Sequence, residues 1–525
     1  VVVGCLTVWL CRAAVADETP ASSAREMARR VDELLESRLR DEDIEPAPLA
    51  DNAQFLRRAS LDLNGVIPSV SDVLSLAADA QVDPDRRAAW IDRLLSNPRY
   101  PTHLAQLWTN MLVPADAQNE RFDQVASFTR WLRQRFADNV RYDNIVADLL
   151  TTAGSSDRGG AVLFYTAAGL KPEELAANTS RIFLGVQIQC AQCHNHPFDL
   201  WKQDDFWSFA AFFARLQTLD GSRPPNVELV DASAGEVRLP GTDQIVAPKY
   251  LGAEPPEEDA DVNRRRQLAI WVVSRENPYF AGVAVNRVWA YLFGRGLVHP
   301  VDDFGKHNPP SHPELLDELT AYFIAHDYDL RALFRALTNT RAYQRTSESE
   351  AADASAARRG VDQLASSRPE LFGQMQIKTL TPEQLYDSLI KAVRLAAPPT
   401  AMAAGAPMPA VDLARAQFIA RFNLASRDAT EFQAGIPQVL ALMNGSLTAM
   451  ATDPAQSGIL VALDAPFFSD DERVEALFLT TLSRLPSGPE RAQFAGYVES
   501  ADDHRTALGD VLWALLNSPE FILNH

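Results

Sequence analysis

Proline divides the first half of this sequence into helix-sized pieces. Pro68, Pro84, Pro98, Pro101 and Pro114 fall between stretches whose apolar residues recur at three and four, among them Trp90–Leu95, His103–Met111 and Phe128–Phe136. That spacing is the amphipathic helix signature. A proline inside a helix removes a hydrogen bond and clashes with the preceding turn. The chain is therefore held to many short helices. The predicted class is mainly α: a multi-helical, two-domain protein with a small β insert between the domains. Hydrophobic residues are 46% and charged residues 22% of 525 positions, a globular composition that excludes a disordered chain, a rod and a collagen. No solenoid period is present.

Local signals set the boundaries. Lys171-Pro172-Glu173-Glu174 opens a helix expected to run through Val186 toward Cys190, because proline suits the first turn and the glutamates face the positive end of the dipole. Asp204 and Asp205 start the next, an aromatic-rich helix over 206–216. Between 218 and 258, Val227–Val230, Glu236–Leu239 and Gln244–Val246 are short β-like runs separated by Gly, Pro and Asp. Helical patterns resume near Asn263. Phe280–Phe293 stops at Gly294, a C-cap signal, and Ser311-His312-Pro313-Glu314 reads as a capping box. Residues 350–366 and 397–412 are Ala-rich linkers. The predicted division is 1–16 signal segment, 17–50 arm, 51–217 helical domain, 218–258 β insert and 259–525 second helical domain.

Charge and cysteine usage narrow the function. Forty-nine basic residues face 69 acidic ones, a formal −20. Broad nucleic-acid binding needs a basic footprint, so no nucleic-acid partner is expected. Val1–Ala16 is apolar and ends in the small-x-small pattern Ala14-Val15-Ala16. It reads as a secretory signal lacking its basic start, with a retained anchor or a lipoprotein box at Cys5 as alternatives. The expected location is the periplasm or cell surface, with no transmembrane span in the mature chain. Removing that segment takes Cys5 and Cys11, leaving Cys190 and Cys193, too few for a disulfide framework.

Those two cysteines lie in Cys190-Ala191-Gln192-Cys193-His194, the c-type haem attachment pattern. Two thiols about one turn apart reach both haem vinyl groups, and the adjacent imidazole supplies an axial ligand. Three other readings stand beside haem c. Zinc held by Cys190, Cys193, His194 and His196 crowds four ligands into seven residues. A thioredoxin-like pair needs a βαβ setting. A local disulfide closes a short, strained loop.

The stretch Phe183–Asp199, with CAQCHNHPFD at its end, resembles a large family of exported planctomycete proteins. These carry two adjacent domains of unknown function associated with planctomycete-type cytochrome c. Arg58–Gly65 with Pro68, Asn286–Trp289, Phe293–Val298, Asp302–Gly305, Ser311–Asp317, Ala342–Ser347, Leu479–Leu485 and Leu516–Phe521 extend the resemblance from about residue 50 to the C-terminus. The resemblance implies a largely helical fold and a c-type haem or redox component.

On that reading Cys190 and Cys193 attach the haem, His194 is the axial iron ligand and His196 lines the site. His312 is a candidate sixth ligand; His103, His299, His307, Met111 and Met443 are weaker ones. Arg181 and Lys202 are candidate propionate partners. Arg287 and Arg295 are expected to pair with Asp302 or Asp303. Trp201, Phe206, Trp207, Phe209, Phe212 and Phe213 are either a haem wall or a buried helix. No phosphate loop, zinc-protease or nucleophile-elbow motif occurs. Three functions follow: a mono-haem electron-transfer protein working with a redox partner; a haem- or metal-dependent enzyme acting on an extracellular substrate such as a polysaccharide; or a cofactor-free cell-surface interaction protein.

Overall fold

The computed structural model describes residues 20–77, 82–155, 160–197, 199–219, 227–256, 263–347, 368–394, 413–422 and 445–525. The signal segment, both Ala-rich linkers and Met443 lie outside these residues. Helices dominate, as the proline spacing requires. No helix among the described residues is long and apolar enough to cross a membrane.

The segment expected to be an arm is a full element of the core. Helix Pro20–Asp41 runs for 22 residues and buries Ala24, Met27, Val31, Leu35 and Leu39. These recur at three and four and form one stripe. The stripe packs on helices Leu330–Thr338 and Pro313–Ala325, from the far half of the sequence. Asp32 on this helix accepts the backbone N–H groups of Arg341 and Ala342 at 2.8 and 3.1 Å.

Two hydrophobic cores result, and neither is confined to one side of the β insert. The first draws on residues from Ala24 to Met375 with Leu479, so it crosses the insert. Its centre is helix Phe280–Phe293, which ends at Gly294 as predicted, with φ 80. Trp289 is fully buried and stacks on Phe293 at 4.1 Å. The second core gathers Leu380–Phe521 onto Leu61, Val66 and Ile67.

The cores meet along helix Asn52–Asn64, which supplies residues to both and carries a buried carboxylate, Asp62. Asp62 Oδ1 accepts Lys378 Nζ at 2.8 Å and Asn524 Nδ2 at 2.7 Å, and Oδ2 accepts the Tyr343 hydroxyl at 2.8 Å. Its backbone oxygen accepts the Tyr291 hydroxyl, which also meets His103 Nε2 at 2.7 Å. Lys378 and Asn524 stand on two short strands that pair antiparallel.

The β insert forms at the predicted runs. Glu228–Asp231 lies between Gly154–Ser155 and Leu216–Thr218 in a three-stranded sheet, and Val237–Arg238 pairs with Ile245–Val246. Arg265 fastens the insert to the helices, gripping Asp231 through Nε at 2.8 Å while Nη1 donates to the Leu150 and Thr152 carbonyls.

Candidate functional site

The helix that opens at Pro172 stops before the motif. It runs as α-helix to Thr179, widens to a π turn over Ser180–Leu184, and ends at Gly185 with φ 65. Gly185 is needed twice over. Its φ is left-handed. A β-carbon there would stand 2.7 Å from both Phe304 and Val283. The helix ends at this point, so the expected continuation through Val186 fails, although Val186, Ile188 and Ala191 remain buried in the first core. Gln189–Gln192 is a separate 3₁₀ turn.

That turn presents the motif to solvent. Cys190 and Cys193 are both exposed and unbonded to each other, and only Ala191 between them is fully buried. His194 is exposed, and its Nδ1 meets the Asn195 carbonyl at 2.8 Å. Donation from Nδ1 fixes the tautomer and leaves the lone pair on Nε2. His196 is engaged in its own turn: Nδ1 accepts the Asp199 N–H at 2.9 Å and its backbone N–H donates to the Trp201 carbonyl.

The aromatic helix supplies the floor. It spans Gln203–Ala210 and continues as a 3₁₀ turn to Phe213. Asp205 Oδ2 accepts the Lys202 N–H at 3.0 Å, placing a carboxylate at the helix start as the sequence indicated. Phe206, Phe209, Phe212 and Phe213 are buried in the first core. Trp207 Nε1 reaches back to the Gln192 carbonyl at 3.0 Å, and Gln203 Nε2 to the Gln192 and Cys193 carbonyls at 3.1 Å. These bonds hold the motif backbone while the two cysteine side chains stay exposed.

A second loop, 302–308, braces the motif from the other half of the chain. Phe304 N–H donates to the Gly185 carbonyl at 2.8 Å. Buried Asp302 accepts Gln187 Nε2 at 3.0 Å and Arg181 Nη1 at 3.3 Å. Arg181 is thus committed to a protein carboxylate. Arg287 donates to the Ile182 and Arg181 carbonyls, at 3.1 and 2.9 Å, closing the end of the π turn. The adjacent Asp303 turns the other way, to His307.

His312 stands elsewhere. It is the N-cap of Pro313–Ala325 and makes no side-chain cap bond, so the expected capping box does not form. Its ring is buried against Phe372, Nδ1 meets Ser311 Oγ at 3.1 Å, and Nε2 has no hydrogen-bond partner. Burial pushes its pKa down to about 4, with Arg38 adding to the effect. Among the described residues its ring contacts are with Ser311 and Phe372, not with the motif. His103 is likewise locked in the core, its pKa pushed down to about 3 by burial. Among the described residues, no three His, Cys, Asp or Glu side chains gather as a metal cage, and the four-ligand zinc arrangement is not assembled.

Residues 30–218 match the family model PSCyt2, a protein of unknown function (DUF1549). Residues 264–409 match PSD1, a protein of unknown function (DUF1553). The chain therefore holds two adjacent stretches, one similar to PSCyt2 and one similar to PSD1. Both families are named for association with planctomycete-type cytochrome c. The PSCyt2 match takes in most of the first helix and ends at the β insert; the PSD1 match stops at 409. The blocks Leu479–Leu485 and Leu516–Phe521, read from sequence as part of the resemblance, fall beyond it. No curated protein and no solved structure matches the chain. The motif falls within the PSCyt2 match and its brace, loop 302–308, within the PSD1 match.

Proposed function

We propose that this chain is an exported c-type haem protein that exchanges electrons through the Cys190–His194 turn. One observation carries the reading. Two free thiols share one exposed turn, beside an imidazole whose Nδ1 is already engaged and whose Nε2 is open. This donor set fits haem c: Cys190 and Cys193 for the thioethers and His194 for the axial bond. Bound haem supplies one-electron chemistry at its iron. The chain's own part is to hold and present. The Asn195 carbonyl orients His194, as an outer partner does for a ligating histidine. Trp207 and Gln203 keep the turn's backbone in place, and the exposure lets a redox partner protein approach.

The test is a denaturing gel stained for haem peroxidase activity, run on protein exported from a host with haem-attachment machinery. The expected result is a stained band that disappears in the Cys190→Ala, Cys193→Ala double variant. A blank lane from fully processed protein removes the haem reading. Stoichiometric zinc in that protein points to a metal site, and no metal points to a cofactor-free interaction protein.

A further inference from the structure

Loop 302–308 holds chemical groups that bracing the motif does not use. His307 Nε2 meets the two Asp303 carboxylate oxygens at 3.1 and 3.3 Å. Its ring lies against the bare backbone of Gly305. A β-carbon there would meet His307 Cε1 at 2.5 Å and Nδ1 at 2.7 Å, and Asp199 Oδ2 at 3.3 Å. Glycine therefore lets an imidazole from the PSD1 domain and a carboxylate from the PSCyt2 motif close on one point. Asp199 Oδ1 is taken by the Leu200 N–H at 2.7 Å. Among the described residues, neither Asp199 Oδ2 nor His307 Nδ1 has a hydrogen-bond partner, and the His307 side chain is 37% exposed.

A carboxylate that accepts Nε2–H fixes the tautomer and puts the lone pair on Nδ1. We infer that Asp303 and His307 form an acid–base dyad, which with Asp199 receives a ligand carrying O–H donors. In the proton transfer the ligand's O–H bond breaks and an N–H bond forms at Nδ1. The electron pair stays on the ligand oxygen, and Asp303 balances the imidazolium. No oxidant is required, so the inference goes beyond the haem reading and does not depend on it. The charged groups placed near the ring are Asp199 and Asp303, and the preceding residue, Lys306, is exposed.

Diethyl pyrocarbonate acylation of the full chain, resolved by residue in a mass-spectrometric digest, tests the dyad. His504 is the internal control. It is similarly open, at 47%, but its Nδ1 stands 3.7 Å from Asp470, beyond hydrogen-bond range. His307 is expected to acylate several-fold faster than His504, and Asp303→Asn to slow His307 several-fold while leaving His504 unchanged. Equal rates at the two histidines overturn the dyad, as does a His307 rate indifferent to Asp303→Asn. The wild-type rate order needs no variant, so it stands even if Asp303→Asn misfolds. His194 in the same digest reports on haem separately: iron ligation protects it, and its acylation leaves the His307 result intact.

Discussion

Two polar clusters in this molecule are assembled from distant parts of the chain, and they differ in what is left over. At Asp62 the carboxylate accepts Lys378, Asn524 and Tyr343, and Lys378 also donates to the Tyr291 and Leu292 carbonyls. The charged groups there are spent on one another, as burial requires. At the motif the backbone is held from below, while the two thiols and the His194 ring are exposed. The first cluster joins two cores; the second leaves chemistry available. Polar residues carried over by a family resemblance therefore need sorting by whether their valence is already used.

The sharpest way to break this contrast is to empty the buried cluster. Asp62→Ala leaves Lys378 without its countercharge, and the expected cost is about 3–5 kcal/mol in chemical denaturation. A loss no larger than at a surface site would mean the cluster is not what joins the cores. Next comes pH. His312 is held at about 4 by burial, whereas an unfolded histidine titrates near 6.5. The unfolded chain binds the proton that the folded chain refuses, so this group's stability is full above about 6.5 and falls as pH drops toward 4. The expected slope is about 1.4 kcal/mol per pH unit. Asp32, raised to about 6 chiefly by burial, acts oppositely: its folded form favours the proton, so stability falls as pH rises from 3.8 toward 6. Comparing wild type with His312→Phe isolates the histidine, and parallel stability curves would refute its buried state.

Smaller effects belong to the exposed region. Asp302→Asn removes the charge that Arg181 and Gln187 share, at an expected cost of about 1–3 kcal/mol. Faster amide exchange should then appear over residues 185–193 and not in helix Phe280–Phe293. The double variant Cys190→Ala, Cys193→Ala should change apo-protein stability by no more than about 0.5 kcal/mol, since both side chains are exposed. A larger loss would recast the pair as structural.

Much of the fold is legible in local signals. The Phe280–Phe293 helix with its Gly294 stop, the strands at 227–246 and the Asp205 helix start all rest on propensity and capping within a few residues. Features set by distant packing are not. The helix from Pro172 ends at the left-handed Gly185, where Phe304 and Val283 leave no room for a β-carbon. Helix Pro20–Asp41 reads as an arm until the helices it covers, some 300 residues later, are in place. The motif was readable because its chemistry fixes a short spacing. Asp302–Gly305 is marked by resemblance as a block, but Asp302 and Asp303 facing different partners, Arg181 and His307, follows only from the fold. The Asp62–Lys378 pair, 316 positions apart, has no sequence signal at all.

The intact mass of the full chain, purified from a haem-maturing host, bears most directly on the claim that the exposed turn is the working site. The account predicts one haem per chain, covalently retained through denaturation and absent from the Cys190→Ala, Cys193→Ala variant. A processed wild-type chain carrying only its polypeptide mass would contradict it.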